Sequence, residues 1–332
     1  MAKFKADNFK TIGVMTSGGD APGMNAAVRA VVRYALSKGL KVKAIYHGYV
    51  GLVNGQIEEI NTRMMANIIQ RGGTVIKTGR LPEFTQSDTR KKAAEIIKKN
   101  NIDGIVCIGG DGSLTGAHLL WNEHQIPVVG CPGTIDNDIY GTDLTIGFDS
   151  AVNTAMHSID KIRDTAASHD RLFIVEVMGR NSGFIATWTG LSGGAEEIFF
   201  QQNTVTVDDA IDHIKRGIQR GKMSSILITA EGEKPGRAYD LAEAIRKKCG
   251  FEAKVCILGH TQRGGAPTAL DRVLASRLGA AAVDTLINRE CDVMVGIKNN
   301  QITTVNHKDI MDNKGKTTPD FSMVRLAQIL ST

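Results

Sequence analysis

Short apolar runs rich in β-branched residues alternate with stretches of helical period along the first half of the chain. TIGVMT is followed by NAAVRAVVRYALSKG and then KVKAIYHG; later DGIVCIGG is followed by SLTGAHLLWNEH and then PVVGCPG. Such alternation predicts βαβ crossovers, and hence a parallel sheet covered by helices on both faces. Ligands then belong at the carboxyl ends of the strands. From about residue 150 the rhythm restarts: a helical VNTAMHSIDKIRDTAASH, the strand LFIVEVMG, a loop with Gly193 and Gly194, the helix DDAIDHIKRGIQR and the strand SSILITAEG. The strand AKVCILGH and the helix ALDRVLASRLGAAAVDTLI follow. No low-complexity linker or fixed-period repeat divides the two sets.

Composition narrows the class. A chain of 332 residues suits two α/β domains, or one large sheet with a companion. The 36 glycines against 7 prolines fit a fold with many tight turns. No apolar run reaches membrane-spanning length. The N-terminal MAKFKADNFKTIGVMTSGGD passes from a basic lead into a strand pattern without a signal-peptide core, so a cytoplasmic enzyme is expected. Five cysteines, with no CxxC pair, argue against a disulfide framework or zinc site. The formal net charge of +5 is dispersed and aromatics are 5%, which speaks against nucleic acid. Scattered arginines suit phosphorylated small molecules, because the guanidinium fork matches phosphate oxygens.

Three segments carry candidate chemistry. GVMTSGGDAPGMNAAVR reads as strand, glycine turn and helix, with Asn25 near the helix start and Gly18 and Gly19 leaving the backbone open to a phosphate. It is no Walker loop, since Met24 stands where the lysine belongs; a plain tight turn explains it equally well. IGGDGS again follows a strand and opens a helix, and Asp111 is placed to hold Mg²⁺ beside nucleotide phosphates. That motif is shared with NAD and diacylglycerol kinases, so it indicates phosphoryl transfer, with a capping Asp as the plainer alternative. In PGTIDND, Asp136 and Asp138 share a face if extended, and can divide base and orienting roles; a solvated Asx turn is the other reading.

TSGGDAPGMNAAVR, GRLPEF, GGDGS, PGTIDND, SHDR, VMGRNSGFIA and LGHTQRGG occur in one order and approximate spacing. In this the chain resembles the 6-phosphofructokinases of the short, bacterial type, from about residue 10 to about residue 290. The resemblance implies an α/β phosphofructokinase fold of two doubly wound, Rossmann-like domains with parallel-rich sheets. It also implies an ATP-binding domain of 1–147 plus about 262–311, and a fructose 6-phosphate-binding domain of 148–261 plus about 312–332. The reaction implied is glycolytic: MgATP gives its γ-phosphoryl to the 1-hydroxyl of fructose 6-phosphate.

Position by position, the resemblance implies nucleotide contacts at Gly19, Tyr49, Arg80, Leu81, Gly110, Gly112, Ser113 and Gly116, with Mg²⁺ at Asp111. Thr134, Asp136 and Asp138 fall on its catalytic loop with Asp136 as base, and Arg80 and Arg180 face the transferring phosphoryl group. Sugar phosphate contacts are implied at Thr134, Ile135, Asp136, Met178, Gly179, Arg180, Glu231, His260 and Arg263. Arg171 matches a residue that reaches the 6-phosphate from a neighbouring subunit, which makes a homotetramer with shared sites the expected assembly. Lys254 stands where the family has a second such arginine, and loses its bidentate fork.

Pyrophosphate-using relatives have a carboxylate after the metal-binding Asp and a lysine before the catalytic TIDND. Gly112 and Gly133 stand there instead, which favours ATP. Arg29, Arg33, Arg163, Gly194, Glu196, Arg220 and Lys222 match positions that bind ADP or phosphoenolpyruvate as effectors in relatives, although Thr62 replaces one arginine, with Arg63 beside it. A pyrophosphate-dependent enzyme and a catalytically silent nucleotide sensor are the rival readings. The remaining histidines lack metal-ligand spacing and read as surface or packing residues, and Met64 and Met65 as helix packing.

Overall fold

A computed structural model describes residues 2–4, 9–168, 171–222 and 224–331. His169 and Asp170 of the SHDR motif lie outside the described residues. In chain order the elements begin β1 (Ala2–Lys3), β2 (Thr11–Ser17), α1 (Met24–Ser37), β3 (Lys41–Ile45), α2 (Gly48–Val53), β4 (Ile57–Glu59), α3 (Ser87–Lys99), β5 (Gly104–Gly109), α4 (Asp111–His124) and β6 (Val128–Pro132). There follow α5 (Phe148–Ala167), β7 (Leu172–Val177), α6 (Phe184–Ser192), β8 (Glu197–Phe199), α7 (Val207–Gln219), β9 (Ser225–Ala230), α8 (Arg237–Cys249) and β10 (Ala253–Ile257). The chain ends with α9 (Ala269–Ile287), β11 (Glu290–Cys291), β12 (Val293–Lys298), β13 (Gln301–Asn306), α10 (His307–Asp312) and α11 (Phe321–Leu330).

These form two compact units: Met1–Ile135, Ile139–Asp149 and Arg263–Lys316 make the first, and Asp136–Asp138, Ser150–Gln262 and Thr317–Thr332 the second. The first holds a seven-stranded sheet in the order β13-β12-β6-β5-β2-β3-β4, parallel except for β13 and β4 at its edges. β2, β5 and β6 are buried at every residue, as parallel strands covered on both faces must be. Each fully buried Val, Ile or Leu there contributes about 1.5–3 kcal/mol. Helix α1 lays Met24, Ala27, Val28, Val31, Val32 and Ala35 inward, at the three- and four-residue spacing of one helical face.

The second unit holds a four-stranded, wholly parallel sheet in the order β10-β7-β9-β8. Its core joins Ile174, Leu227 and Phe199 to Ala210, Ile211 and Ile214 of α7 and to Ala238, Leu241 and Ile245 of α8. Among the described residues no helix is long and apolar enough to cross a membrane. All five cysteines are free thiols. One expectation is corrected: Met64 and Met65 lie in a turn segment, not a helix, with Met65 buried and Met64 43% exposed. The sequence TRMMANIIQ mimics a helical period, but the Asn61 side chain accepts from the backbone N–H of Arg63 and Met64 and closes a turn instead.

Candidate functional site

Strand order turns around between β2 and β5: from β2 the chain crosses to β3 on one side, and from β5 to β6 on the other. A doubly wound sheet opens its ligand crevice at that reversal. Two glycine motifs meet there, because Ser17 and Gly109 are register partners at the strand ends. The approach is closed by Ser113, 4% exposed, whose Oγ would lie 2.5 Å from a Cβ at Gly109. Only glycine fits there, which explains the motif without any ligand.

Asp111 opens α4 behind Gly110, and no side chain caps that helix. Ser113 N–H donates to Gly110 O within the first turn, and the helix end carries the positive dipole that suits an anion. Burial raises the Asp111 carboxyl above its usual range, with Lys314 opposing. Its Oδ1 is buried and has no hydrogen-bond partner. An unpartnered buried carboxylate oxygen at a helix N-terminus fits a cation shared with phosphate oxygens, the carboxylate facing the cation and the helix end facing the phosphate. Gly112 is exposed, with open space on its Cβ side, whereas a Cβ at Gly133 would lie 3.0 Å from both Ile108 and Met24.

Tyr49 is not open to a ligand. It is 4% exposed, stacks on Phe84 at 3.9 Å and donates its hydroxyl to Ser113 O at 2.7 Å. A Cβ at Gly116 would come within 2.9 Å of its ring, so Gly116 is needed for this packing. Leu81 packs against the same core, while Arg80 is exposed. Arg263, grouped with the sugar contacts by resemblance, lies over the first glycine turn: its guanidinium donates to Asp20 O and would sit 2.8 Å from a Cβ at Gly19. Asn25, 1% exposed, caps nothing. It donates to Arg71 O and Gly72 O and accepts from Val75 N–H, clamping the RGGTV loop. Ile135 is fully buried, and Thr134 is fixed by its N–H to Ile146 O and its carbonyl to the Thr145 hydroxyl.

The smaller sheet has its own reversal between β7 and β9. Val177 and Ala230 are register partners, so Met178, Gly179 and Arg180 emerge beside Glu231, which is 7% exposed. His260 follows the carboxyl end of β10 on a 3-10 turn and is exposed. The Met178–Ser182 turn is tight: Ser182 N–H donates to Gly179 O at 2.7 Å, with φ +126° at Gly179 and +47° at Arg180. Asp136 and Asp138, half-buried, belong to this unit, and the backbone oxygen of Asp136 accepts from Ser182 Oγ.

Two expected sugar-phosphate residues fall elsewhere. Lys254 pairs with Phe173 near the start of β7, and exposed Arg171 precedes that strand. The six residues of β7, about 20 Å, separate Arg171 from the carboxyl-end group of the same sheet, and Lys254 is level with the second of those six. The matched effector positions are also divided: Arg29 and Arg33 lie on α1, whereas Arg163, Gly194, Glu196, Arg220 and Lys222 lie in the second unit. There Arg163 donates to Gly193 O and to Gly194 O, and Lys222 pairs with Glu196 and donates to Ser331 O.

Sequence reasoning missed three polar clusters. Glu176, 1% exposed in β7, accepts from Gly236 and Ala238 N–H and so caps α8 from a distance. His118 and His307 share the Asp292 carboxylate, at 2.9 and 3.2 Å. His213 pairs with buried Glu197, which also accepts from Gln328. None has short-range spacing, so nothing in the sequence announced them.

A family model for phosphofructokinases matches residues 11–286. ATP-dependent 6-phosphofructokinase of Halalkalibacterium halodurans is 52% identical over 97% of this chain and 99% of its own length. ATP-dependent 6-phosphofructokinase 1 of Thermus thermophilus is 51% identical over 97% of this chain and 99% of its own. Among solved structures, phosphofructokinase from Saccharomyces cerevisiae superposes with a TM-score of 0.86 at 35% identity, covering 97% of this chain and 48% of that one. Two switch-point crevices lined by the matched motifs, and half-identity over nearly full length, agree: the chain belongs to the phosphofructokinase family.

Proposed function

We propose that the protein is an ATP-dependent 6-phosphofructokinase, transferring the γ-phosphoryl group of MgATP to the 1-hydroxyl of D-fructose 6-phosphate to give fructose 1,6-bisphosphate and ADP. The observation that carries this is the identity of about half, over 97% of the chain, with relatives named for that activity. The open space on the Cβ side of Gly112 supports ATP as donor, since it leaves the room a nucleotide needs, whereas Gly133 is walled by Ile108 and Met24 and its glycine is explained by packing alone.

In this reading the α4 amides, Gly110, Gly112 and Ser113 receive the nucleotide phosphates, and Asp111 would hold Mg²⁺. The orphaned Oδ1 fits that role. Bound there, the metal would neutralise charge developing between the β- and γ-phosphates. Asp136 accepts the proton of the attacking 1-hydroxyl, and Asp138 and Thr134 orient that loop. Arg80 and Arg180 stabilise the transferring phosphoryl group; both are exposed, as residues awaiting an anion should be. Met178, Gly179, Glu231 and His260 hold the sugar, joined by Arg263.

Arg171 and Lys254, at the amino end of the smaller sheet, serve the 6-phosphate of a neighbouring protomer, which makes the working form a homo-oligomer, a tetramer on the family pattern. ADP and phosphoenolpyruvate are the effectors to test at Arg29, Arg33, Arg163, Gly194, Glu196, Arg220 and Lys222. Unchanged velocity curves at subsaturating fructose 6-phosphate with either effector would remove that role. Asp136→Ser tests the base. Its turnover is expected to fall about 10²–10⁴-fold with ATP binding retained, and near-normal turnover would refute the assignment.

A further inference from the structure

The turn that carries Arg180 is held from several directions. Met178 N–H donates to Gln262 Oε1 at 2.7 Å, and Gln202 Nε2 donates to Asn181 O at 2.6 Å. Gln262 is fully buried and also donates to Ala151 O. The Phe200 ring presses on Gly183 so closely that a Cβ there would lie 2.3 Å away. From this braced frame the Ser182 hydroxyl donates to the backbone oxygen of Asp136 at 2.7 Å, across 46 residues of sequence.

Two further observations give that bond weight. Ser182 is 6% exposed, so water competes poorly for its hydroxyl. On both sides of it the backbone adopts the left-handed conformation at non-glycine residues, with φ +51° at Asn137 and +47° at Arg180. Such conformations persist only where the surroundings over-determine them, and they gather at sites whose geometry matters. Asn137 is 5% exposed, one residue from the bonded carbonyl.

We propose that Ser182 is a positioning residue for phosphoryl transfer: its hydroxyl locks the Asp136 segment onto the braced turn that presents Arg180. This rests on the reading of Asp136 as base. A base works only from near-attack geometry, and a displacement of about 1 Å costs on the order of 10²-fold. The braced turn fixes where Arg180 emerges, and the hydroxyl transmits that placement to the catalytic loop.

The test is steady-state kinetics with fructose 6-phosphate and MgATP on Ser182→Ala, Ser182→Thr, Asp136→Ser and the Ser182→Ala/Asp136→Ser double variant, each first checked for a parent-like melting curve. Ser182→Ala is expected to lose about 10- to 100-fold in kcat while KM for ATP stays within about twofold, and Ser182→Thr, which keeps the donor, to restore most of the rate. In the Asp136→Ser background the alanine should cost nothing further, because the loop no longer aims a base. Parent-like kcat in Ser182→Ala, or an equal loss in both backgrounds, overturns the proposal. Near-parent turnover of Asp136→Ser alone would instead overturn the assignment of the base. Should Ser182→Ala not fold, Ser182→Cys, close in volume but a far weaker donor, carries the same readings.

Discussion

The proposed Mg²⁺-binding role requires Asp111 to be charged where burial disfavours charge. Burial raises its pKa, so the folded chain binds that proton more tightly than the unfolded one. Stability then falls as pH rises from the usual carboxylate range through the raised value, and stays lower above it. Metal-free Asp111→Asn at neutral pH is therefore expected to melt at or above the parent temperature, while its phosphoryl transfer falls by about 10²-fold or more. A clearly lower melting temperature by differential scanning fluorimetry would contradict this. Lys254 yields the converse, a gain. On the proposed role of Lys254, Lys254→Arg would give the 6-phosphate a planar fork, and the KM for fructose 6-phosphate should drop by roughly 3- to 10-fold with kcat little changed. An unchanged or higher KM would remove Lys254 from the sugar phosphate site.

At the scale of elements, Asp292 ties three pieces of the larger sheet's periphery together. Its N–H donates to Val128 O at the start of β6, and its carboxylate receives His118 from α4 and His307 from α10. His307 is fully buried, its Nε2 aimed at the place a Cβ on Gly130 would occupy, and burial lowers its pKa against the pull of Asp292. The unfolded chain then takes up the proton first. Stability should be full above about pH 6.5 and decline as pH falls below it, by about 1.4 kcal/mol for each unit of lowering. Melting temperatures from pH 7.5 to 5 should fall for the parent and less steeply for His307→Gln; parallel curves would exclude His307. Elements set by local pattern were legible in the sequence: β2, β5, β6, β7 and β9 are apolar runs bounded by glycine or polar turns. The β12–β13 hairpin was not read, although Asn299 and Asn300, both at positive φ, are the residues such a turn prefers. Glu176 was illegible for a different reason. It sits in a strand and caps a helix that begins 61 residues later, so no window of sequence holds both partners.

For the whole molecule, two parallel-rich sheets each present a topological switch point, and TSGGD, GGDGS and VMGRNSG follow the strand ends that flank them. That concentration could be anticipated from strand order alone, because glycine turns and charged residues accumulate where strands stop. Arg171 and Lys254 lie at the opposite, amino end of the smaller sheet, each at the start of a run read as a strand, and the register of β7 with β10 brings them side by side. This placement carries its own expectation: sedimentation should find an oligomer, and a fully active monomer would leave these two residues without a role. The most direct test of the account is coupled-assay velocity with fructose 6-phosphate and Mg²⁺, comparing ATP with pyrophosphate at matched concentrations. Turnover with ATP and none with pyrophosphate is the predicted result. Turnover with pyrophosphate alone would contradict the argument from Gly112 and Gly133, and none with either donor would contradict the assignment of a kinase.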